Sequence, residues 1–496
     1  MASAGFLIYS GIMPLIKTFI AIFFGYFLTK KGMFPAAASR GASQVTMNIS
    51  LPALIFANIV PAFTPQNVSA IGPLFLIAFV YQIIGFTFGI IIREVFYVPR
   101  NFWQGIIILS GMSNWGNLPN AVVTSVTQQA PFDPTTDPQL GVSFVAIFIV
   151  SYHLVFWVCG AAHSLSWDYL PGVPQGEDAE RRLRWNQKPV GRFIANHILR
   201  QDIPPPFTPI CEVTSDDEKG KEHVTTENVE VTNQFNESKM DLEKDPDIQL
   251  TRRTSHLSAL SYRSPIPQSS TSAAPALPPL PPSPAPPEEQ PQDSSSRLSF
   301  FLPPVLQKVL KHVSVLFGPV TTTLLISLPI ALIEPLKALF VDVSSMGGPN
   351  WKGPDGRPPL AFVIDTAEFV GDIAIPLALI LLGSSFARLK VPRPISRLPI
   401  LAMIAVALAK MLILPVIGVL MIQGMVSGGL IDKDAKVEKF VAMFLSGTPA
   451  AVNQMIVSSL YSPDGDVDTL SAFLLVQYVF MFFSSSALTA VALLLS

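Results

Sequence analysis

The sequence predicts an all-α polytopic membrane protein with ten transmembrane helices, arranged as two inverted five-helix repeats. Three observations support this fold class. Of the 496 residues, 49% are hydrophobic and only 14% are charged, with a mean hydropathy of +0.44, whereas soluble domains contain about 25% charged residues. Ten apolar segments of membrane-spanning length lie five on each side of a polar middle. The fourth segment of each half is interrupted by glycine and proline.

The predicted boundaries divide the chain into a first membrane repeat (1–165), a long linker (166–305) and a second membrane repeat (306–496). Mean hydropathy along the chain places the spans near 7–29, 42–62, 70–92, 102–126, 140–163, 312–336, 361–386, 398–424, 437–461 and 468–495.

Basic residues indicate which loops are cytosolic. Lys30, Lys31 and Arg40 follow the first span, and Arg388 and Lys390 follow the seventh. This pattern predicts that both termini are non-cytosolic and that the linker is in the cytosol. Because five is an odd number, the second repeat is predicted to be inverted relative to the first.

The middle of the fourth span carries the clearest functional signal. Between Gly111 and Asn120 the sequence reads GMSNWGNLPN, with apolar residues on both sides. Lipid cannot satisfy the backbone groups that such a break frees, so the break must lie inside protein or beside a water-filled cavity. The following half-helix directs its positive end at the break, which favours an anionic substrate. The predicted substrate contacts are Gly116, Asn117, Pro119 and Asn120.

The ninth span contains a second break. Ser446-Gly447-Thr448-Pro449 interrupts it, and Asn453 follows one turn later. The predicted contacts here are Gly447, Thr448, Pro449 and Asn453. One break is compatible with a proline kink in an ordinary span, but two at the same position in each half favour a binding site in a carrier built from repeats.

The second and seventh spans share another pattern. Asn48 lies four residues before Pro52, and Asp372 lies four residues before Pro376. Matching pairs in register indicate an internal repeat. They also add Asn48 and Pro52 to the candidate site.

Five of the charged residues within the predicted spans are candidates for a functional role. Lys17 and Lys410 are near the middle of the first and eighth spans, and Asp365, Glu368 and Asp372 share one face of the seventh. Charged groups at this depth require a partner or a polar cavity. They are candidates to carry a proton, to hold a cation, or to form a structural ion pair between Glu368 or Asp372 and one of the two lysines.

Other polar residues and motifs give weaker signals. His153 and Gln82 are interpreted as packing contacts within their spans. The sequence has no phosphate-binding glycine loop, nucleophile elbow or metal motif. We therefore expect no enzymatic activity, no cofactor and no metal. The net charge of -2 implies no nucleic-acid partner.

The linker has two parts. Residues 177–200 combine basic and apolar side chains. This composition is typical of a segment that lies on the anionic cytoplasmic leaflet, and it is equally typical of a solvated linker. Residues 203–299 are rich in Pro, Ser, Thr, Asp and Glu, which predicts disorder. Ser255 follows Arg252-Arg253-Thr254 and is a candidate kinase site. A regulatory role for the linker is a hypothesis.

These motifs resemble the auxin efflux carrier superfamily, and more closely its PIN-like branch in plants and fungi. The matching pieces are Met13-Pro14-Leu15-Ile16-Lys17, Asn48-Ile49-Ser50-Leu51-Pro52, Gly116-Asn117-Leu118-Pro119, Asp365-Thr366-Ala367-Glu368 with Gly371-Asp372 and Pro376, and Gly447-Thr448-Pro449. The resemblance covers both membrane halves and not the linker. The second crossover departs from the family pattern because no asparagine directly precedes Pro449.

The resemblance implies a fold like that of bile-acid and sodium/proton carriers, with two crossed broken helices. It implies a substrate beside the crossing, with Asn117 as a polar contact, and elevator-like alternating access. It also implies an auxin-like cargo and location in the endoplasmic reticulum membrane, with the plasma membrane as the alternative.

The sequence therefore predicts a secondary transporter for a small organic anion such as indole-3-acetate. The alternatives are a sodium- or proton-coupled carrier or antiporter that uses Glu368 and Asp372, and a membrane scaffold whose cytosolic linker is the functional part. Expected partners are the substrate anion, the lipid bilayer, a second copy in a homodimer and a kinase that acts on Ser255.

Overall fold

The computed structural model describes residues 4–63, 68–201, 318–344, 347–390, 397–462 and 467–496, and these residues form helices and loops without a β-sheet. The part of the linker predicted to be disordered, with Ser255, lies outside the described residues. The helices of the first half are α1 (Ala4–Lys30), α2 (Ala36–Val45), α3 (Leu51–Ala62), α4 (Val68–Val95), α5 (Trp103–Gly111), α6 (Asn117–Thr127), α7 (Asp137–His153), α8 (Ala161–Ser164) and α9 (Pro189–His197).

The described helices of the second half continue the numbering. They are α10 (Pro319–Leu332), α11 (Glu334–Lys337), α12 (Ala361–Gly371), α13 (Ala374–Arg388), α14 (Ile400–Leu408), α15 (Leu414–Ser427), α16 (Lys436–Leu445), α17 (Asn453–Tyr461) and α18 (Asp468–Leu495). Three single π-helical turns join neighbouring elements, at Thr46–Ser50, Leu154–Val158 and Ala409–Ile413.

Six helical stretches of the described chain are long and apolar enough to cross a membrane. They are Ala36–Ala62, Ser69–Val95, Asp137–Val158, Ala361–Arg388, Ile400–Ser427 and Asp468–Leu495. The other four segments predicted as spans also contain helices, namely α1, α10, the pair α5 and α6, and the pair α16 and α17. A continuous span needs about 20 residues, so the 9 residues of α5 and the 10 of α16 are half-helices.

The two halves exchange helices. The first helix, α1, packs along α13 of the second half, and α10, which opens the second half, packs on α3 of the first. Glycines allow the first of these contacts to be very close: a Cβ atom on Gly25 would lie 2.0 Å from the Ile380 carbonyl oxygen, and one on Gly383 would lie 1.9 Å from that of Ile22. Neither half is therefore packed as a separate unit.

The segment after α7 closes the end of the bundle where α4 ends and α5 begins. The Asp168 carboxylate accepts hydrogen bonds from the backbone N–H groups of Gln104 (3.0 Å) and Gly105 (2.7 Å), and thereby caps the first turn of α5. An acidic group at this position is favourable for the helix dipole. Lys188 donates to carbonyl oxygens in the last turn of α4. Residues 161–201 are thus fixed to the ends of two membrane helices.

Candidate functional site

The two helix breaks meet and pair through their backbones. The Asn114 N–H donates to the Pro449 carbonyl at 2.7 Å, the Ala451 N–H donates to the Met112 carbonyl at 3.2 Å, and Ser113 and Ala450 form an antiparallel bridge. A break at bilayer depth needs partners for its freed backbone groups. Each break supplies those partners to the other, so the crossing of the two chains explains how both breaks persist.

Side chains on both sides hold the crossing in place. Trp115 Nε1 donates to the Leu445 carbonyl at the end of α16 (2.9 Å), and Gln454 Nε2 donates to the Gly105 carbonyl in α5 (2.8 Å). The Ala450 N–H donates to Gln477 Oε1 of α18 at 2.9 Å. The first two bonds join α5, α16 and the start of α17 to the opposite half of the chain, and the third joins the second break to α18 of its own half.

The extended residues of the second break pack toward two sides. Ala451 belongs to an apolar cluster with Met112 and Trp115, whereas Ala450 and Val452 belong to a second cluster. Successive side chains of an extended segment point in opposite directions. The crossing consequently lies where two apolar clusters of the membrane region meet.

Lys410 contributes the ionisable group at the crossing. It lies in the π-helical turn between α14 and α15, its side chain is fully buried, and its Nζ donates to the Ser110 carbonyl (2.9 Å) and to Ser113 Oγ (2.8 Å). Ser110 is in the last turn of α5, where unpaired carbonyls make the helix end negative. Lys410 therefore satisfies the end of one half-helix and contacts the residue that bridges to Ala450.

A cavity of about 130 Å³ lies beside the crossing. It is far larger than the ~10–15 Å³ that one water molecule requires. The first turns of both half-helices contribute to its wall through Gly116 and Asn453, and Pro449 lines it as well. Most of the remaining wall is apolar, with Leu54, Ile55, Ile149, Ile375, Leu379 and Met481. The cavity is suited to a small molecule with an apolar body and a polar group.

Two tyrosines line this cavity, one from each half of the chain. Tyr152 lies in α7, the fifth predicted span, and its hydroxyl is beside the Asn453 side chain. Tyr478 lies in α18, the tenth predicted span, and its hydroxyl is beside the Asn114 side chain. Neither hydroxyl has the geometry of a hydrogen bond to any described residue, although both are buried.

His153 adds a third buried polar atom to the wall. Its Nδ1 is 2.7 Å from the Ile149 carbonyl, and because a carbonyl only accepts, Nδ1 carries the proton of the neutral ring. Nε2 is then an acceptor, and it has no partner among the described residues. Buried polar groups are normally satisfied by protein, water or ligand. These three atoms are therefore available to water or to a polar ligand in the cavity.

The sequence-predicted candidates are distributed around the crossing. Gly116, Pro449 and Asn453 line the cavity. Asn117 begins α6, and its side chain lies outside the described residues. Pro119 is buried in the same turn, and Asn120 has a buried Oδ1 atom that no described residue contacts by a hydrogen bond; neither lines the cavity.

Four other candidates lie behind or beside the wall. Gly447 allows close packing, since a Cβ atom there would lie 2.4 Å from Leu488, and the Thr448 hydroxyl is buried and near the Leu445 carbonyl at 3.4 Å. Pro52 is buried next to the cavity-lining Leu51, and Asn48 is exposed. These residues shape the helices that carry the wall.

The carboxylates of the seventh predicted span lie away from both lysines. Asp365 forms two hydrogen bonds with Arg357, at 2.7 and 2.8 Å, where both side chains are about half exposed. Glu368 is exposed, and so is Asp372, which lies at the break between α12 and α13. Lys17 is exposed as well. Within the described residues no ion pair joins these carboxylates to Lys17 or Lys410; Lys410 is held by oxygen atoms of Ser110 and Ser113 instead.

Sequence reasoning did not select the tyrosines, and it interpreted His153 as a packing contact. One signal was available: Tyr152 and Tyr478 are single phenols in the last span of each half, the same correspondence that links the two breaks. That these side chains line one cavity is visible only once the halves are packed together, because Tyr152 and Tyr478 are distant in sequence.

The crossing of two broken helices, the cavity beside it and the apolar helices around it define a membrane transport protein. The sequence profile of the family described as membrane transport protein matches residues 10–489. The chain belongs to this family, the auxin efflux carrier family, and the resemblance read from the sequence motifs is confirmed.

Relatives that match nearly the whole chain are found in a yeast and in a plant. An uncharacterized transporter of Saccharomyces cerevisiae, YLR152C, is 23% identical over 97% of this chain and 96% of its own length. Protein ECM3 of the same yeast is 23% identical over 96% of both chains. Protein PIN-LIKES 2 of Arabidopsis thaliana is 23% identical over 96% of this chain and 92% of its own. The matches to these three relatives include both membrane halves.

Proposed function

We propose that the protein is a secondary transporter for a small organic anion with an apolar ring, of which indole-3-acetate is the best representative. The observation that carries this proposal is the meeting of two half-helix N-termini at one cavity. Helix N-termini favour negative charge, and discontinuous helices in carriers direct these ends at anionic substrate groups. In this arrangement a carboxylate would lie near Gly116 and Asn453, with the Tyr152 and Tyr478 hydroxyls as donors.

The rest of the cavity is consistent with an aromatic body. Its wall is mainly apolar, and burial of apolar surface would provide most of the binding free energy. His153 Nε2, the unpaired acceptor, is suited to a ring N–H such as that of indole. A hydroxyl pair for the carboxylate and an imidazole for the N–H would orient such a ligand in one direction.

Lys410 supports the preference for an anion. Two of its three N–H donors contact Ser110 and Ser113, and no acidic residue forms an ion pair with it within the described chain. In its charged form it would add a positive field behind Ser113, which lines the cavity. In a low-dielectric interior this field acts with little screening.

The architecture proposed for transport is ten spans in two inverted repeats. It is supported by the exchange of α1 and α10 between halves, by the pairing of the fourth and ninth segments at the crossing, and by the correspondence between Tyr152 and Tyr478. Alternating access would occur by an elevator-like motion of the crossed half-helices against the remaining helices.

Three further parts of the proposal rest on the sequence. They are location in the endoplasmic reticulum, a homodimer and phosphorylation of Ser255.

Uptake into liposomes that contain the purified full-length protein tests the function. At neutral pH, uptake of labelled indole-3-acetate is expected to saturate and to be reduced by unlabelled indole-3-acetate, but not by indole-3-ethanol, which has the same ring without the charge. Equal competition by the alcohol would contradict an anion site. Absence of saturable uptake would show that indole-3-acetate is not the substrate.

The same liposomes distinguish a uniporter from a coupled carrier. With an imposed sodium or proton gradient, uptake is expected to be independent of the gradient in the wild type and in Asp372→Asn. A gradient-dependent flux that is lost in Asp372→Asn would favour the coupled carrier that uses Glu368 and Asp372.

A further inference from the structure

We propose that α9 and the turn before it lie on the cytosolic leaflet and bind the anionic headgroups of the bilayer, with Trp185, Phe193 and Ile198 inserted at the boundary between headgroups and acyl chains. The proposal concerns residues 181–201 and is independent of the transport site. Lipid would cover the face of α9 that the described residues leave exposed.

The position of α9 is fixed by the end of a membrane helix. Lys188, directly before α9, donates from Nζ to the carbonyl oxygens of Arg93 (2.7 Å), Glu94 (3.0 Å) and Phe96 (2.5 Å). The first two of these residues are in the last turn of α4, whose apolar stretch ends at Val95. The start of α9 is consequently at the depth where α4 leaves the hydrocarbon region.

Among the described residues, protein packs against only one face of α9. Gly191 and Ala195 are buried one turn apart, and a Cβ atom on Gly191 would lie 2.0 Å from the Trp185 carbonyl oxygen. On the other side Phe193 is 59% exposed, and Ile198, which follows the helix, is 68% exposed. Large exposed apolar residues that adjoin a membrane span are expected to contact lipid rather than water.

Trp185 extends this apolar surface. It is 51% exposed in the turn before Lys188, and tryptophan is enriched at membrane interfaces because its ring is apolar and its N–H is polar. Val190 and Leu199 are also exposed. The uncovered face is therefore continuous from the turn to the end of the helix.

The charge of this segment is complementary to an anionic leaflet. Residues 181–201 contain Arg181, Arg182, Arg184, Lys188, Arg192 and Arg200 and no Asp or Glu. Arg181 and Arg184 are exposed. Basic residues next to a span are attracted to the negatively charged cytoplasmic leaflet, so headgroups are favoured over a neutral or basic partner.

A spin label on the full-length protein tests the proposal. Phe193→Cys and, as an exposed control in the turn Gly176–Glu180 just before this segment, Glu177→Cys would be labelled in a background where Cys159 and Cys211 are serine. Glu177 has an 85% exposed side chain. The proteins are placed in nanodiscs of phosphatidylcholine with or without phosphatidylserine, and collisions with oxygen, which concentrates in lipid, are compared with collisions with a water-soluble nickel complex.

The label at 193 is expected to show a several-fold higher ratio of oxygen to nickel collisions than the label at 177, with the difference largest when phosphatidylserine is present. Replacement of Arg181 and Arg184 by glutamine should remove the effect of phosphatidylserine. A label at 193 that is as accessible to nickel as the label at 177 would overturn the proposal. So would a label at 193 shielded from both reagents, since protein would then cover the face. A label at Ile198→Cys repeats the measurement if substitution of Phe193 disturbs α9.

Discussion

Lys410 Nζ lies 2.8 Å from Ser113 Oγ, and this hydrogen bond joins the π-helical turn of one half of the chain to the helix break of the other. The Ser110 carbonyl is the second acceptor, at 2.9 Å. Both oxygens belong to the first break, so a single side chain fixes the end of α5 and the start of the extended segment. The position of the cavity wall at Ser113 therefore depends on Lys410.

Replacement of Lys410 by methionine is expected to impair anion transport and stability together. It removes a buried donor to two oxygens, and leaving such groups unpaired costs about 1–3 kcal/mol each. Lys410→Gln retains a donor without the charge, so it should recover stability but not affinity for the anion. Liposome uptake and thermal unfolding in detergent are the measurements. The exposed Lys352, changed to methionine, is the control; equal effects at both positions would show that the loss is not specific to the crossing.

Removal of the cavity hydroxyls is expected to affect binding without affecting the fold. In Tyr152→Phe and Tyr478→Phe, KM for indole-3-acetate should rise about tenfold or more, as expected for loss of a hydrogen bond to a charged group worth roughly 1.5–3 kcal/mol. The unfolding temperature should stay unchanged, because neither hydroxyl is bonded within the described protein.

Tyr81→Phe is the matched control for these variants. The Tyr81 hydroxyl donates to the Ala442 carbonyl at 3.0 Å in a buried site, and Tyr81 does not line the cavity. It should lower the unfolding temperature and leave KM unchanged. A KM increase for Tyr81→Phe alone would argue that the substrate binds elsewhere.

Local signals explain which features of the fold could be predicted from the sequence. The apolar segments predicted the helix positions to within a few residues, because the hydropathy of a segment depends only on its own residues. Glycine and proline placed both breaks for the same reason. The second half-helix begins at Asn453, however, four residues after Pro449. Pro449 and Ala451 bond through their backbones to Asn114 and Met112, and no local signal shows that pairing.

The charged residues show the same limit. The sequence predicted that Lys410 lies in the middle of a span, where a charged group needs a partner. A carboxylate was the expected partner. The observed acceptors are a backbone carbonyl and a serine hydroxyl about 300 residues away. Every residue has a carbonyl, so residue type carries no information about such a partner. The unpaired phenols were missed because a lone tyrosine in a span is usually a packing residue.

The pH dependence of stability should contain a contribution from Asp168, which caps α5 outside the spans. Burial raises the pKa of this carboxyl from its usual value to about 6, against the opposing effect of hydrogen bonds from Gln104 and Gly105. The folded protein then binds more protons than the unfolded chain between about pH 4 and pH 6, so stability falls as pH rises through this window. The change amounts to at most about 3 kcal/mol.

Thermal unfolding in detergent between pH 4 and pH 7 measures this contribution. Asp168→Asn keeps an oxygen acceptor for the helix end and does not titrate, so the decrease in unfolding temperature should be smaller in this variant. Asp133→Asn, at an exposed carboxyl whose pKa is lowered by hydrogen bonds from Thr135, is the comparison and should retain the wild-type decrease. An identical pH profile for wild type and Asp168→Asn would contradict the raised pKa.

Close packing between the halves can be tested at the crossing of α1 and α13. In Gly383→Ala the new Cβ atom would lie 1.9 Å from the Ile22 carbonyl oxygen. Because the obstacle is backbone and not the end of a flexible side chain, the helices must separate, and overpacking of this kind costs about 1–3 kcal/mol or more. We expect a clear decrease in the unfolding temperature. Gly25→Ala, whose Cβ atom would lie 2.0 Å from the Ile380 carbonyl oxygen, should cause a similar decrease.

Gly424→Ala is the matched control, since Gly424 lies within α15 and a Cβ atom there has no neighbour within 4 Å. Alanine is the better helix former by roughly 1 kcal/mol, so this variant should be as stable as the wild type or more stable. If Gly383→Ala and Gly424→Ala unfolded at the same temperature, α1 and α13 would not be in backbone contact. The exchange of helices between the halves, which supports the inverted-repeat architecture, would then lose its main structural support.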